Sequence, residues 1–201
     1  MSEGNDPFDW SGGHPALDFV NTVDERPSTE PIERLATYGD LVRFTVLARL
    51  IDHSTGKRLR QLKGPRCTRV TSRARALREQ LHGVLAAWHQ QRIISQHVLR
   101  RVTLAICQAR AARRLVIAAG TRGIVRYDWI SPQAPDVPLH ACALAIEDLL
   151  IGADPSRLRK CGAADCDVYF IDTSKGHRRL WCSMTNCGNR EKQRRWRSEP
   201  G

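Results

Sequence analysis

Hydrophobic and polar positions change their period several times along this chain. In LDFVNTV (17–23), Leu17, Phe19 and Val23 fall on one side with Asn21 among them, and Asp18, Val20 and Thr22 fall on the other. That period of two predicts a short strand, ended by Asp24-Glu25-Arg26-Pro27. From Gly39 to Ile51 the spacing becomes helical, with Leu41, Phe44, Leu47, Leu50 and Ile51 on one stripe. Residues 52–71 are polar and basic and hold Gly56, Gly64 and Pro65, which reads as a loop. Helices are predicted again over about 72–90 and 94–112.

A hairpin follows. Leu115–Ala119 and Ile124–Ile130 flank a turn with Gly120 and Gly123, and Val125, Tyr127 and Trp129 alternate with Arg126 and Asp128. VPLHACALAIEDLLIG then carries an apolar helical stripe of Leu139, Cys142, Ala143, Ile146, Leu149 and Leu150, closed by Gly152 and Pro155. Together these elements predict an α+β domain over residues 10–153, with helices around a small antiparallel sheet and a core of its own.

Composition shifts after that helix. Residues 156–201 hold 11 of the 32 Lys and Arg but only 5 of the 21 Asp and Glu, so more than half of the net +11 lies in that tail. A boundary is expected near 153–157, with a second module over 157–198. A pI of about 9.9 points to a polyanionic partner: DNA, RNA or an acidic membrane surface. No stretch approaches a membrane span, and MSEGNDPFDWSGG lacks the basic start and apolar centre of a signal peptide. The expectation is a cytoplasmic protein, in which clustered cysteines serve metal or chemistry rather than disulfides.

The tail is too short to fold on its few large apolar residues. Four of the seven cysteines, Cys161, Cys166, Cys182 and Cys187, form two C-x4-C pairs within it. Four thiolates suit tetrahedral Zn2+. An iron–sulfur cluster is the weaker alternative, since nothing marks an electron-transfer partner. The residues between the pairs suffice for a hairpin of VYFID and RRLW around Ser174–Gly176. Cys67, Cys107 and Cys142 are isolated and read as small buried hydrophobes, and His177 as a turn residue.

REKQRRWR after Cys187 predicts a helix whose positive end faces that thiolate. On it, Arg190, Arg194 and Arg197 share one face with Lys192 and Arg195 beside it, and Arg178 and Arg179 precede the second pair. One reading is a phosphate-contacting surface; the other is a solvated basic face. Trp196 is expected to fold back on the second cysteine loop.

Cys161-x4-Cys166, Phe170-x-Asp172-x-Ser174, Arg179-x-Trp181-Cys182-Ser183-Met184 and Cys187-Gly188-Asn189-Arg190-x-Lys192 together resemble the CGNR zinc finger. Leu180 stands where that pattern would carry a further basic residue. Gly13-His14-Pro15-Ala16-Leu17-Asp18-Phe19-Val20-Asn21-Thr22 resembles the opening of the ABATE domain, which usually precedes the finger. The resemblance implies a treble-clef-like zinc module, DNA as partner, a role in stress-induced transcription in bacteria, and ligand sensing by the front domain.

Asp18, Asn21, Thr22 and Arg26 form the candidate ligand-binding set, because a buried amide such as Asn21 either ties down backbone or faces a pocket. No nucleophile elbow, P-loop or paired carboxylates occur, so an enzyme has no residues to rest on. The favoured reading is a DNA-binding regulator with a small-molecule effector, and a single finger makes a homodimer plausible. The rivals are a protein- or RNA-binding module with structural zinc, and a small-molecule binder acting through the front domain.

Overall fold

In the computed structural model, which describes residues 6–118, 120 and 123–198, the chain folds as an α+β domain joined to a C-terminal cysteine module. Segment 17–23 departs from expectation. Pro15–Val20 is a helix (α1), and only Val23–Asp24 is strand (β1), paired with Ile32–Glu33 (β2). Ala16, Leu17, Asp18, Phe19 and Val20 are all buried. A segment buried on every side shows no polar face, so its period says nothing about its conformation. Local chemistry decides instead: Pro15 suits the first helical position, and His14 Nδ1 accepts the Ala16 N–H at 3.1 Å.

The helix α2, Tyr38–Leu47, starts in a capping box between Thr37 and Asp40. Residues 52–71 are not a loop. His53–Leu59 forms α3, capped by Asp52, which accepts the Thr55 N–H at 2.8 Å. Its inward side is only Thr55, Gly56 and Leu59, too small and polar to show as an apolar stripe. Gly56 permits the close approach to α2, since a Cβ there would lie 2.3 Å from Val46 Cγ2. The helix α4, Pro65–His89, starts earlier than its periodicity suggests, at Gly64 with φ 108°. The helices α5, Gln96–Ala111, and α6, Val137–Gly152, lie close to the expected bounds. So does the hairpin of β3, Arg113–Ile117, and β4, Val125–Trp129. Ala119, the predicted end of its first strand, falls outside the described residues.

The helix α6 packs against α1, α2, α4 and α5, and Leu17, Phe19, Phe44, Leu81, Leu85 and Ile146 are fully buried around it. That core is not the front domain's alone. Leu158 and Tyr169, from β5 (Leu158–Lys160) and β6 (Tyr169–Ile171), are buried in the same cluster. These two strands pair antiparallel, Leu158 with Ile171 and Lys160 with Tyr169. The expected partner of β6, Arg178–Trp181, forms no strand. Asp172 instead folds that segment into a loop, accepting the Ser174 N–H at 2.9 Å and the Arg179 N–H at 3.0 Å.

Candidate metal centre

Two loops bring the thiols together. In the first, Cys161 N–H donates to Val168 O at 2.9 Å and Cys166 N–H to Ala163 O at 3.1 Å. In the second, Ser183 Oγ accepts the Asn186 N–H at 3.3 Å and opens a wide turn over Met184–Gly188. Gly188 allows this turn to close, because a Cβ there would stand 3.0 Å from Met184 Sδ and 3.5 Å from the Trp181 ring. The loops are stitched by Gly162 N–H to Leu180 O at 2.9 Å and Cys182 N–H to Cys161 Sγ at 3.4 Å. Phe170, Ala163 and Trp181 pack around the sulfurs.

All four Sγ atoms lie within 4.8 Å of one another, with Cys166–Cys182 at 3.8 Å and Cys182–Cys187 at 3.5 Å. Sulfurs bound at about 2.3 Å to a tetrahedral zinc stand about 3.8 Å apart, so the set fits such an ion and no disulfide joins any pair. Cys161, Cys182 and Cys187 are buried and Cys166 is half-buried. Hydrogen bonding to Cys161 and burial push the Cys166 thiol up to about 12. A bound cation would displace the proton and hold that sulfur as a thiolate. The remaining cysteines are elsewhere: Cys67 and Cys142 are buried, whereas Cys107 is exposed on α5 rather than a core residue.

The helix α7, Asn189–Ser198, leaves directly from Cys187. Arg190 Nη2 donates to Cys187 Sγ at 3.3 Å and to Asp165 Oδ1 at 2.8 Å, while Arg194 Nη2 donates to Asp165 Oδ2 at 2.8 Å. The face of Arg190, Arg194 and Arg197 is therefore turned toward the first cysteine loop. At 100° per residue, Lys192, Arg195 and Trp196 lie on the opposite face. Arg178, Lys192, Arg195 and Arg197 are exposed. Trp196 does not fold back on the second loop; it is 82% exposed. Arg179 is tied into the module's interior. Its guanidinium lies 4.3 Å over the Phe170 ring and bonds the carbonyls of Trp181, Cys182 and Ser11.

The four polar residues of the opening motif are tied up in structure. Asn21 Nδ2 donates to Tyr169 O at 2.9 Å and its Oδ1 accepts Tyr169 N–H at 3.1 Å. Thr22 and Arg26 belong to a network around buried Arg78, which grips both oxygens of Glu33 and touches Thr22 Oγ1 at 3.0 Å, while Arg26 pairs with Glu79 at 2.8 Å. Burial raises the Glu33 carboxyl, but the Arg78 hydrogen bonds outweigh it and hold it below its usual range. Asp18 accepts the Gly12 N–H at 3.0 Å, and Gly12 O accepts the Ile171 N–H at 2.9 Å. Burial lifts the Asp18 carboxyl to about 7; the Gly12 N–H opposes the rise and Asp9 adds to it.

Asn21 and Arg26 also border a cleft of about 570 Å³ shared with Cys166, Cys182 and Cys187. A separate cleft of about 710 Å³ between α6 and the β3–β4 hairpin is lined by His14, Arg49, Arg113, Tyr127 and Asp148 among others. Asp165 and Asp172 are site residues that residue typing missed. Asp172 stands in the quoted finger motif, whereas Asp165 had no signal beyond its place between two ligands.

No helix among the described residues is long and apolar enough to cross a membrane. No curated protein matches the chain. The CGNR zinc finger family model matches residues 157–199. The ABATE model, described as "Putative stress-induced transcription regulator", matches residues 13–153. The chain therefore belongs to the ABATE family and carries a CGNR zinc finger behind that domain.

Proposed function

We propose that the protein is a cytoplasmic, non-enzymatic transcription regulator that binds Zn2+ through Cys161, Cys166, Cys182 and Cys187 and duplex DNA through its C-terminal helix. The observation that carries this reading is the attachment of α7 to the metal site. The helix begins two residues after Cys187 and bears five Lys and Arg residues within Asn189–Ser198. A metal that fixes Cys187 thereby fixes the direction of a basic helix, which an isolated ten-residue peptide could not hold in water. Arg190, Arg194 and Arg197 share one face of that helix and supply charge for phosphates, and Arg178 adds to it from the loop before Cys182. The regulator reading also draws on the family description. We place a small-molecule effector in the cleft between α6 and the hairpin, since Asp18, Asn21, Thr22 and Arg26 are engaged in structure.

The test compares zinc-loaded wild type with the Arg190→Ala/Arg194→Ala/Arg197→Ala variant on a mixed-sequence duplex, at several salt concentrations and with zinc content matched. Each lost phosphate contact flattens the log–log salt slope by about 0.9. Equal affinity and slope in the two proteins would remove the DNA reading and leave a structural-zinc module that binds protein or RNA.

A further inference from the structure

Arg190 and Arg194 carry charge that duplex DNA would attract, yet in the free protein both are held by one carboxylate. Arg190 Nη2 lies 2.8 Å from Oδ1 of Asp165, and Arg194 Nη2 lies 2.8 Å from Oδ2. Each oxygen of the carboxylate thus takes a bond from a different guanidinium, one helical turn apart. A backbone phosphodiester offers the same feature, two anionic oxygens on one centre, and arginine is suited to such oxygens. Arg190 also touches Cys187 Sγ at 3.3 Å, and Arg194 touches Glu191 Oε1 at 2.7 Å. Both side chains are therefore oriented before any ligand arrives. The site is open: the side chains of Asp165, Arg190 and Arg194 are 42%, 43% and 46% exposed.

We infer that Arg190 and Arg194 form a seat for a single backbone phosphate of duplex DNA, and that Asp165 occupies this seat in the free protein and is displaced when DNA binds. The inference rests on the DNA reading above and adds to it a residue that opposes binding. The displacement is feasible because exposed ion pairs are weak. Two such pairs correspond to roughly a two- to thirty-fold handicap on affinity. Asp165 lies on the first cysteine loop and the arginines follow the second, so the contact also links the two loops across the sulfur cluster.

The experiment measures duplex affinity of the full zinc-loaded chain by fluorescence anisotropy for wild type, Asp165→Asn, Asp165→Ala and Asp154→Asn. Asp154 is the control, because it is an exposed acid of the same region whose ion pair is with Arg157 at 3.7 Å. Its replacement changes net charge equally and touches neither seat arginine. Both Asp165 variants should bind at least three-fold tighter than Asp154→Asn. In an Arg190→Ala/Arg194→Ala background, Asp165→Asn should gain no more than the control does. Binding by Asp165→Asn where wild type shows none would support the inference most directly. A gain equal to the control, or a gain that survives loss of both arginines, overturns it while leaving DNA binding intact. Loss of zinc from both Asp165 variants also overturns it, since Asp165 would then be a support of the cysteine loop. If neither wild type nor the Asp165 variants bind, the DNA reading falls and takes the seat with it.

Discussion

Replacing Asn21 should loosen the join between the front domain and the zinc finger, although Asn21 belongs to the first and lies 148 residues from its partner. The outer edge of β6 would otherwise be an unpaired strand edge inside the protein. Asn21 covers Tyr169 N–H and C=O with its amide, and Gly12 O covers Ile171 N–H, so these two groups stand in for a third strand. Asn21 and Tyr169 are 3% and 2% exposed, so water does not reach the groups that Asn21→Ala strands. Leaving a buried N–H or C=O without a partner costs about 1–3 kcal/mol each. The sum is about 2–6 kcal/mol, which for a chain of this size lowers the melting temperature by about 4–24 °C. Asn21→Asp should not rescue it, because a carboxylate accepts from Tyr169 N–H but presents a second acceptor to Tyr169 O. Thermal and urea unfolding of the zinc-loaded protein give the loss, and hydrogen exchange at the Tyr169 amide locates it. A cost below about 0.5 kcal/mol for Asn21→Ala, with unchanged exchange at Tyr169, would refute the reasoning.

Cys166→Ser and Cys187→Ser should each release the metal, and elemental analysis showing full retention in both would rule out the four-cysteine site. Zinc removal by a chelator should also destabilise the front domain, because Leu158 and Tyr169 complete its core; a front-domain melting transition indifferent to chelation would contradict that coupling. Asp18→Asn tests the buried carboxyl. With a native pKa of about 7 against about 4 in the unfolded chain, the native state keeps a proton that the unfolded state has lost between those values. Stability from this group is thus full below pH 4, falls as pH rises through that window, and stays low above 7. Asp18→Asn should be more stable than wild type at pH 8 and lose that advantage at pH 4; a pH-independent difference would reject the assignment.

The cysteine centre and the helices α2, α5 and α6 were legible because their signals are local: chelating pairs a few residues apart, and apolar stripes with a polar opposite face. The errors share a physical cause. The helix α1 is buried all round, so Leu17–Val23 offered alternation without a solvent side to give it meaning. The helix α3 turns only Thr55, Gly56 and Leu59 inward, and a glycine whose Cβ would lie 2.3 Å from Val46 Cγ2 looks in sequence like a loop residue. The pairing of β6 went to Leu158–Lys160 because Asp172 bends the chain on the other side, and no periodicity reports such a side-chain turn. Asn21 shows the limit most clearly. Its position among apolar residues requires a hydrogen-bonded amide, and that much follows from the residue alone. Which backbone it serves depends on the docking of a module that starts more than 130 residues later. The polar residues of the opening motif therefore cannot be read as a pocket from their chemistry alone. In this fold Asn21 joins the front domain to the finger through the buried backbone of Tyr169.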